Sequence, residues 1–392
     1  MGQDEVAKAL GSENIGLSDA LKGKKVAIAH YWLVNMRGGE KVLESLCDLF
    51  PGADIYTHVY DEKSISSKIK SHSIFTTFIS RLPFAKRLYK FYLPLMPFAF
   101  ERIDLTGYDL VISSESGPAK SVIPSPTAVH ICYCHSPMRY IWDLHYQYRG
   151  ELNFFAAGFL SIVSHFLRIQ DVSSSSRVDH FVANSKFVAK RINKYYRRDS
   201  SVIHPPVDVE SFSTSSFARE QGKYYLVAGE LVGYKKVDLA VEAFNKLGER
   251  LVVIGGGSEL DRLKQLASDN VELKGKVSQS DFISYVQGCR ALIFPGEEDF
   301  GIVPIEAMAS GKPVLAYKSG GALDYVIPNK TGNFFKEQSV ESLISCVEHF
   351  EQEEAHYSTS EIKEFAQSFT QSVFKEKFKS LVSQAIQDEA CL

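Results

Sequence analysis

Cysteine is scarce and without pattern in this chain: six residues, Cys47, Cys132, Cys134, Cys289, Cys346 and Cys391, with no C-x-x-C pair. That excludes a disulfide framework and the usual zinc spacings, and it fits a reducing cytosol. Cys132 and Cys134 alternate along a strand-like run, as packing residues do. Long apolar runs are missing too. None reaches the roughly 20 residues of a membrane-spanning helix. The nearest are Phe91–Phe100, broken by Pro94 and Pro97, and Leu152–Leu167, which contains His165. Residues 1–24 lack the apolar centre of a secretory signal and read as a poorly ordered extension. A formal charge of −3 excludes a general nucleic-acid binder, which would be basic. There is no Asp-x-Asp motif for a metal, no internal repeat and no low-complexity tract.

What is present is a globular composition, 45% hydrophobic and 12% aromatic, in 392 residues. That length exceeds one ordinary core, so two domains are expected. Strand-like runs alternate with helical patterns nearly throughout, the signature of parallel α/β sheets. In the first half, strands are expected at Lys25–His30, Asp54–Val59, Leu110–Ser113, Val129–Cys134 and His180–Asn184. Helices are expected at Gly38–Phe50 and Lys186–Tyr196, the second capped by Ser185. A polar, serine-rich stretch over 209–222 reads as a linker. The alternation resumes at Tyr224–Ala228 and continues through Leu251–Ile254 and Ala291–Phe294. The expected domains are therefore 25–208 and 223–370, with 371–392 a helix packing back on the first. Each would be doubly wound, with a cleft where the carboxyl ends of the two sheets converge.

The most informative segment is 294–321, Phe-Pro-Gly-Glu-Glu-Asp-Phe-Gly-Ile-Val-Pro-Ile-Glu-Ala-Met-Ala-Ser-Gly-Lys-Pro-Val-Leu-Ala-Tyr-Lys-Ser-Gly-Gly. It follows a buried-type strand and holds Glu298 and Glu306 with seven residues between them. Phe300-Gly301-Ile302-Val303 feeds a helix with Pro304 near its first position and Glu306 in its first turn, and Gly311 ends it. Open amides at a helix start suit a phosphate, and the carboxylates can accept from hydroxyls. Taken singly, either glutamate is more often a capping acid. Together on this loop they describe a site for a nucleotide sugar.

Three further patches adjoin strand ends. Gly229-Glu230-Leu231-Val232-Gly233-Tyr234-Lys235-Lys236 opens a helix with two lysines that solvent alone would explain. Arg37-Gly38-Gly39-Glu40-Lys41 lets backbone approach a ligand closely, or is an ordinary turn. His135 lies just past the strand Val129–Cys134, where such folds place their chemistry. His30 and His130 read as structural. Arg139 either grips a phosphate or pairs with Asp143. Gly255-Gly256-Gly257 is divided evenly between tight packing and a place near a base.

The spacing of Glu298 and Glu306, with Phe300–Val303 and the run 306–314, resembles the E-x7-E motif of the retaining GT-B glycosyltransferases (glycosyltransferase family 4, group 1). The run Cys132–Asp143, with Tyr31-Trp32-Leu33 and residues 37–41, looks most like the bacterial O-antigen mannosyltransferase branch. The resemblance spans roughly 25–380. It implies a GT-B fold, two Rossmann-like domains, in which Glu298 contacts the donor hexose and Glu306 the nucleotide ribose. It implies diphosphate contacts from Lys235 and Lys236 and from the loop at Gly38 and Gly39, and a sugar contact from His135. Residues 300–303 fit the same donor site. Glu230 departs from the family, which commonly has arginine there.

The expected activity is therefore hexose transfer, mannose from GDP-mannose favoured, to a lipid-linked saccharide in surface polysaccharide assembly. Its expected catalytic residues are His135, Glu298 and Lys235, with no cofactor and no metal. A sugar-nucleotide epimerase of the same architecture is the alternative, or an inactive nucleotide-sugar-binding subunit. Arg81, Lys86, Arg87 and Lys90 interleave with aromatics over 74–100, which suits an anionic lipid surface or a core helix with solvated lysines. The basic run Lys186–Arg198 adds to that surface if it faces the same way. Leu152–Leu167 is a second lipid-contacting element or a buried helix. The expected location is the cytoplasmic face of the membrane.

Overall fold

The computed structural model describes residues 23–150, 152–214 and 222–390. Most of the expected extension over 1–24, and the part of the expected linker over 215–221, lie outside the described residues. Two sheets organise the chain. The first contains β1 (Val26–His30), β2 (Asp54–Thr57), β3 (Ile74–Thr76), β4 (Leu110–Glu115), β5 (Val129–Cys134), β6 (His180–Ala183) and β7 (Ser200–Val202), in the order β3-β2-β1-β4-β5-β6-β7. The second contains β8 (Tyr225–Ala228), β9 (Leu251–Ile254), β10 (Val271–Gly275), β11 (Leu292–Phe294), β12 (Val314–Tyr317) and β13 (Gly332–Phe335), in the order β10-β9-β8-β11-β12-β13. β1 pairs in parallel with β2 and β4, and β8 with β9 and β11. Strands buried on both faces carry near-continuous apolar runs, as Leu251–Ile254 does, which is why they were legible.

Among the helices are α1 (Gly38–Leu49), α2 (Met96–Glu101), α3 (Phe154–Ser175), α4 (Lys186–Tyr196), α5 (Val237–Leu247), α6 (Ile302–Ala309) and α7 (Gln371–Ala390). The Ser185 hydroxyl accepts from the Val188 amide at 3.1 Å and so caps α4. Contacts divide the chain into two compact units. One comprises the described residues of Met1–Cys134, Met138–Val182 and Lys375–Leu392; the other comprises His135–Pro137 and Ala183–Phe374. Residues 183–208, placed in the first half by sequence, group with the second unit.

Two stretches differ from expectation. Residues 74–100 are not one helix: β3 is followed by short turns of helix at Phe78–Arg81, Ala85–Leu88, Tyr89–Leu95 and α2, because Pro83, Pro94 and Pro97 interrupt any longer run. The expected linker begins as packed structure, the helix Val209–Ser213, whose Phe212 is buried among Ile305 and Met308.

The first unit also encloses a charged cluster. Lys120, fully buried, donates to Glu115 Oε1 at 3.0 Å and to Asp171, and Asp171 accepts from Trp142 Nε1 at 2.8 Å. Burial alone would lower the Lys120 pKa, but the two carboxylates overcome it and hold the ammonium well above its ordinary value. In the same unit, Lys375 of α7 pairs with Asp48, and Phe378 packs against Phe50 and Tyr133.

Candidate active site

In the second sheet, strand order runs outward from β8 on one side and from β11 on the other. The crevice beyond their carboxyl ends is where a doubly wound sheet takes its ligand. A pocket lies there, lined by residues 227–230 and 293–296 with Lys235, Val237 and Glu298. Two glycine positions build it. A side chain at Gly296 would stand 2.8 Å from Lys235 Cα, so only glycine lets these loops meet. One at Gly255 would stand 1.7 Å from the Gly229 carbonyl oxygen, so the 255–257 turn is tight packing under the 229–231 loop.

Lys235 Nζ lies 2.8 Å from Glu298 Oε1. Burial depresses the lysine, but the charge of Glu298 outweighs it, helped by Tyr234 and Glu230, and its pKa is raised. The pocket therefore holds a protonated amine at neutral pH. Glu230 lines the same pocket, so the acid that stands in place of the family's arginine is at the site itself. Lys236 is exposed and holds a left-handed backbone, φ 53°, immediately before α5.

The loop carrying Glu298 is clamped on several sides. The Gly321 amide donates to the Glu298 carbonyl at 2.8 Å, and the Tyr325 hydroxyl to the Phe300 carbonyl at 2.8 Å. Asp299 receives Arg191 Nη1 at 2.6 Å, and its carbonyl accepts from the Ser185 hydroxyl. Arg191 also donates to Ser136 Oγ at 2.6 Å and to the Pro137 carbonyl at 3.3 Å. Asn184 Nδ2 donates to the His135 carbonyl at 2.8 Å. One arginine thus ties the loop after β5, with half-buried His135, to the loop of Glu298.

Several expected residues sit elsewhere than supposed. The Phe300 side chain is 3% exposed, packed against His204, Tyr325 and Phe369, and belongs to the core rather than to a ligand surface. Gly301, at φ 90° and ψ 100°, is not helical, so α6 starts only at Ile302. Pro304 is accordingly third in the helix, and Glu306 lies in the second turn rather than the first. Pro304 is still tolerated, because the first four amides lack intrahelical partners. The amides of Ile302 and Val303 are among those open donors. Glu306 is 4% exposed and does not line the pocket.

Gly38 and Gly39 belong to the other unit, as the first two residues of α1. There the Arg37 amide donates to Glu40 Oε2 at 2.9 Å. Burial raises the pKa of Glu40, but hydrogen bonding and the charge of His30 more than offset it, and the carboxyl is held low. Arg139, in the same unit, pairs with Asp143 at 3.1 Å. Among the described residues no group of three or more His, Cys, Asp or Glu is arranged to hold a metal.

Sequence reasoning missed Arg191, Asp299, Ser185 and Gly296 as site-building residues. Arg191 lies in the basic run 186–198, read as a surface, yet it is 7% exposed. The apolar spacing of Val188, Ile192 and Tyr196 marks the inward face of α4 that Arg191 shares.

Residues 36–211 match the family Glycosyltransferase Family 4, and residues 208–368 match Glycosyl transferases group 1. The chain belongs to the GT-B glycosyltransferases. It is 26% identical over 166 residues to an uncharacterized glycosyltransferase of Methanocaldococcus jannaschii, covering 41% of this chain and 46% of that protein. It is 24% identical over 274 residues to the alpha-1,3/1,6-mannosyltransferase of Schizosaccharomyces pombe, covering 57% and 52%. The chain thus spans about half the length of these curated relatives. Among solved structures, Anabaena Alr3699/HepE in complex with UDP-glucose superposes with a TM-score of 0.65 at 15% identity, covering 92% of this chain and 99% of that one. At that identity the likeness speaks for the GT-B fold. The whole pocket falls within the group 1 segment of this GT-B chain, and Gly38, Gly39, His135 and Arg139 within the family 4 segment.

Proposed function

We propose that this protein is a retaining hexosyltransferase that moves a sugar, mannose from GDP-mannose favoured, onto a lipid-linked saccharide in surface polysaccharide or O-antigen assembly. One observation carries the reading: Lys235 and Glu298 meet at 2.8 Å in the pocket beyond the carboxyl ends of β8 and β11. That pair offers a cation to a diphosphate and an acceptor to a sugar hydroxyl, side by side. The mannosyltransferase relative and the UDP-glucose complex of a fold relative support the choice of a nucleotide sugar.

In this reading Lys235, Lys236 and the open amides of Ile302 and Val303 hold the diphosphate. In the first unit, Gly38 and Gly39 offer backbone to a phosphate group, and Arg139 on leaving Asp143 offers a guanidinium. Glu298 and His135 orient the hexose, and Glu306 accepts from the ribose diol. The acceptor hydroxyl attacks the anomeric carbon on the face from which the diphosphate leaves. The bond from that carbon to the diphosphate oxygen breaks with its electron pair, and the hydroxyl proton passes to the departing diphosphate. Fixed positive charge aimed at that oxygen stabilises the transition state, so no metal is needed. The acceptor implies work at the cytoplasmic membrane face, with residues 74–100 towards lipid.

The test is a thermal-shift screen of GDP, UDP, ADP and dTDP, followed by transfer of radiolabelled sugar into lipid extract. A true ligand at 100 times its Kd adds roughly 2.7 kcal/mol of stability. Glu306→Ala and Lys235→Ala should each abolish most of that shift. Absence of a shift with all four nucleotides would remove the reading.

A further inference from the structure

Helix α3 is built the reverse way from an ordinary surface helix. Its buried face is largely polar: Ser164, Asp171, Ser174 and Ser175, with Leu167. Its exposed face is apolar but for His165 at the stripe's edge and Ser173 beyond its end: Phe155 is 86% exposed, Phe159 66%, Ile162 62%, Phe166 65% and Ile169 56%. Steps of four, three, four and three residues set these five on one stripe, roughly 21 Å long at 1.5 Å per residue. The helix has only two formally charged side chains, and both turn inward. Arg168 donates to the Ile141 carbonyl at 2.6 Å, and Asp171 joins Lys120 and Trp142. A stripe this large and dry on a helix face marks a contact surface.

The neighbouring elements say what covers it. Gln170 of α3 donates to Glu101 of α2 at 2.6 Å, and Leu93 packs in one cluster with Val163 and Leu167. The segment 81–102 next to α3 exposes Phe84, Phe91 and Phe98, and with them the cations Arg81, Arg87, Lys90 and Arg102. An isologous contact with a second copy would set these cations against themselves. A bilayer rich in anionic phospholipid complements both features.

We infer that α3 lies flat in the interface of an anionic membrane, with Phe155, Phe159, Ile162, Phe166 and Ile169 immersed and the 81–102 cations on the headgroups. The inward tie of Asp171 to Lys120 fixes the helix in plane, and among the described residues no helix is long and apolar enough to cross a membrane. This choice of partner rests on the proposed lipid-linked acceptor, which puts the protein at a bilayer, and it assigns that contact to α3.

The experiment is flotation of the full chain with phosphatidylglycerol–phosphatidylethanolamine vesicles and with phosphatidylcholine vesicles. The variant replaces Phe155, Phe159, Ile162 and Phe166 with serine, its fold checked by circular dichroism. The wild type should float with the anionic vesicles, and the variant's bound fraction should fall at least tenfold while its nucleotide thermal shift stays unchanged. In a Phe159→Trp protein, the added emission should be quenched by brominated lipid. Equal flotation of variant and wild type, or an unquenched tryptophan, overturns the proposal. So does light scattering that shows a wild-type dimer dissolved by the serines. Flotation and quenching without any nucleotide shift would sink the transferase reading and leave the helix assignment standing.

Discussion

Arg191 donates to the carboxylate of Asp299 at 2.6 Å, and Asp299 directly follows Glu298. With its bonds to Ser136 and Pro137, this guanidinium sets the relative positions of two loops that each carry a proposed sugar contact.

Arg191→Gln should therefore lower turnover more than donor affinity. A loss of ten- to a hundredfold in kcat, about 1.4–2.7 kcal/mol, is expected. Lysine should restore little, because it has no planar fork to span three acceptors. Steady-state transfer kinetics check this; a kcat equal to wild type would mean the tie is only structural.

Phe300→Ala separates core from site. The ring sits among His204, Tyr325 and Phe369, so its loss should cost about 3–5 kcal/mol of stability by urea unfolding. Donor affinity of the folded fraction should hold. A stable variant with weakened nucleotide binding would return Phe300 to the ligand surface.

Glu230→Arg reverses the charge that shares the pocket with Lys235 and Glu298. A further cation facing the diphosphate should tighten nucleotide binding about tenfold, or about 1.4 kcal/mol. Calorimetric titration with the best nucleotide of the thermal screen gives the answer. Weaker binding would show that Glu230 accepts from the ligand.

Stability should decline with acid below neutrality. Burial lowers His58 to about 3 and His130 to about 4, from 6.5 in the unfolded chain. Both rings are folded neutral, so the unfolded state binds more protons between those limits. Their contribution is complete above about pH 6.5 and is lost as pH falls, His130 finishing near 4 and His58 near 3. Each adds a slope of up to about 1.4 kcal/mol per pH unit. His58→Gln should flatten the dependence of urea-unfolding free energy between pH 6.5 and 5; an unchanged slope would contradict the neutral ring.

The alternating pattern was legible because doubly buried strands such as Leu251–Ile254 and Leu292–Phe294 are uniformly apolar. Short edge strands were not: Ser200–Val202 and Gly332–Phe335 have neither run length nor alternation. The carboxylate spacing at Glu298 and Glu306 drew attention to a loop whose Glu298 lines the pocket. What it could not show is which way neighbouring side chains turn. The burial of Phe300 and of Arg191 was not legible for the same reason: an aromatic in a motif and an arginine in a basic run carry no sign of facing inward. Their direction depends on partners far away in the chain, Phe369 for one and Asp299 for the other.

Helix α7 has a consequence for synthesis. Phe374, Phe378, Val382 and Ala385 are each at most 2% exposed, and Phe378 closes over Phe50 and Tyr133. A nascent chain emerging from the ribosome therefore makes Phe50 and β5 long before Phe378, which packs against Phe50 and Tyr133, arrives. Their hydrophobic surface stays open through translation of some 240 intervening residues, counted from β5 to α7, and a chaperone that shields it would raise the yield of native protein.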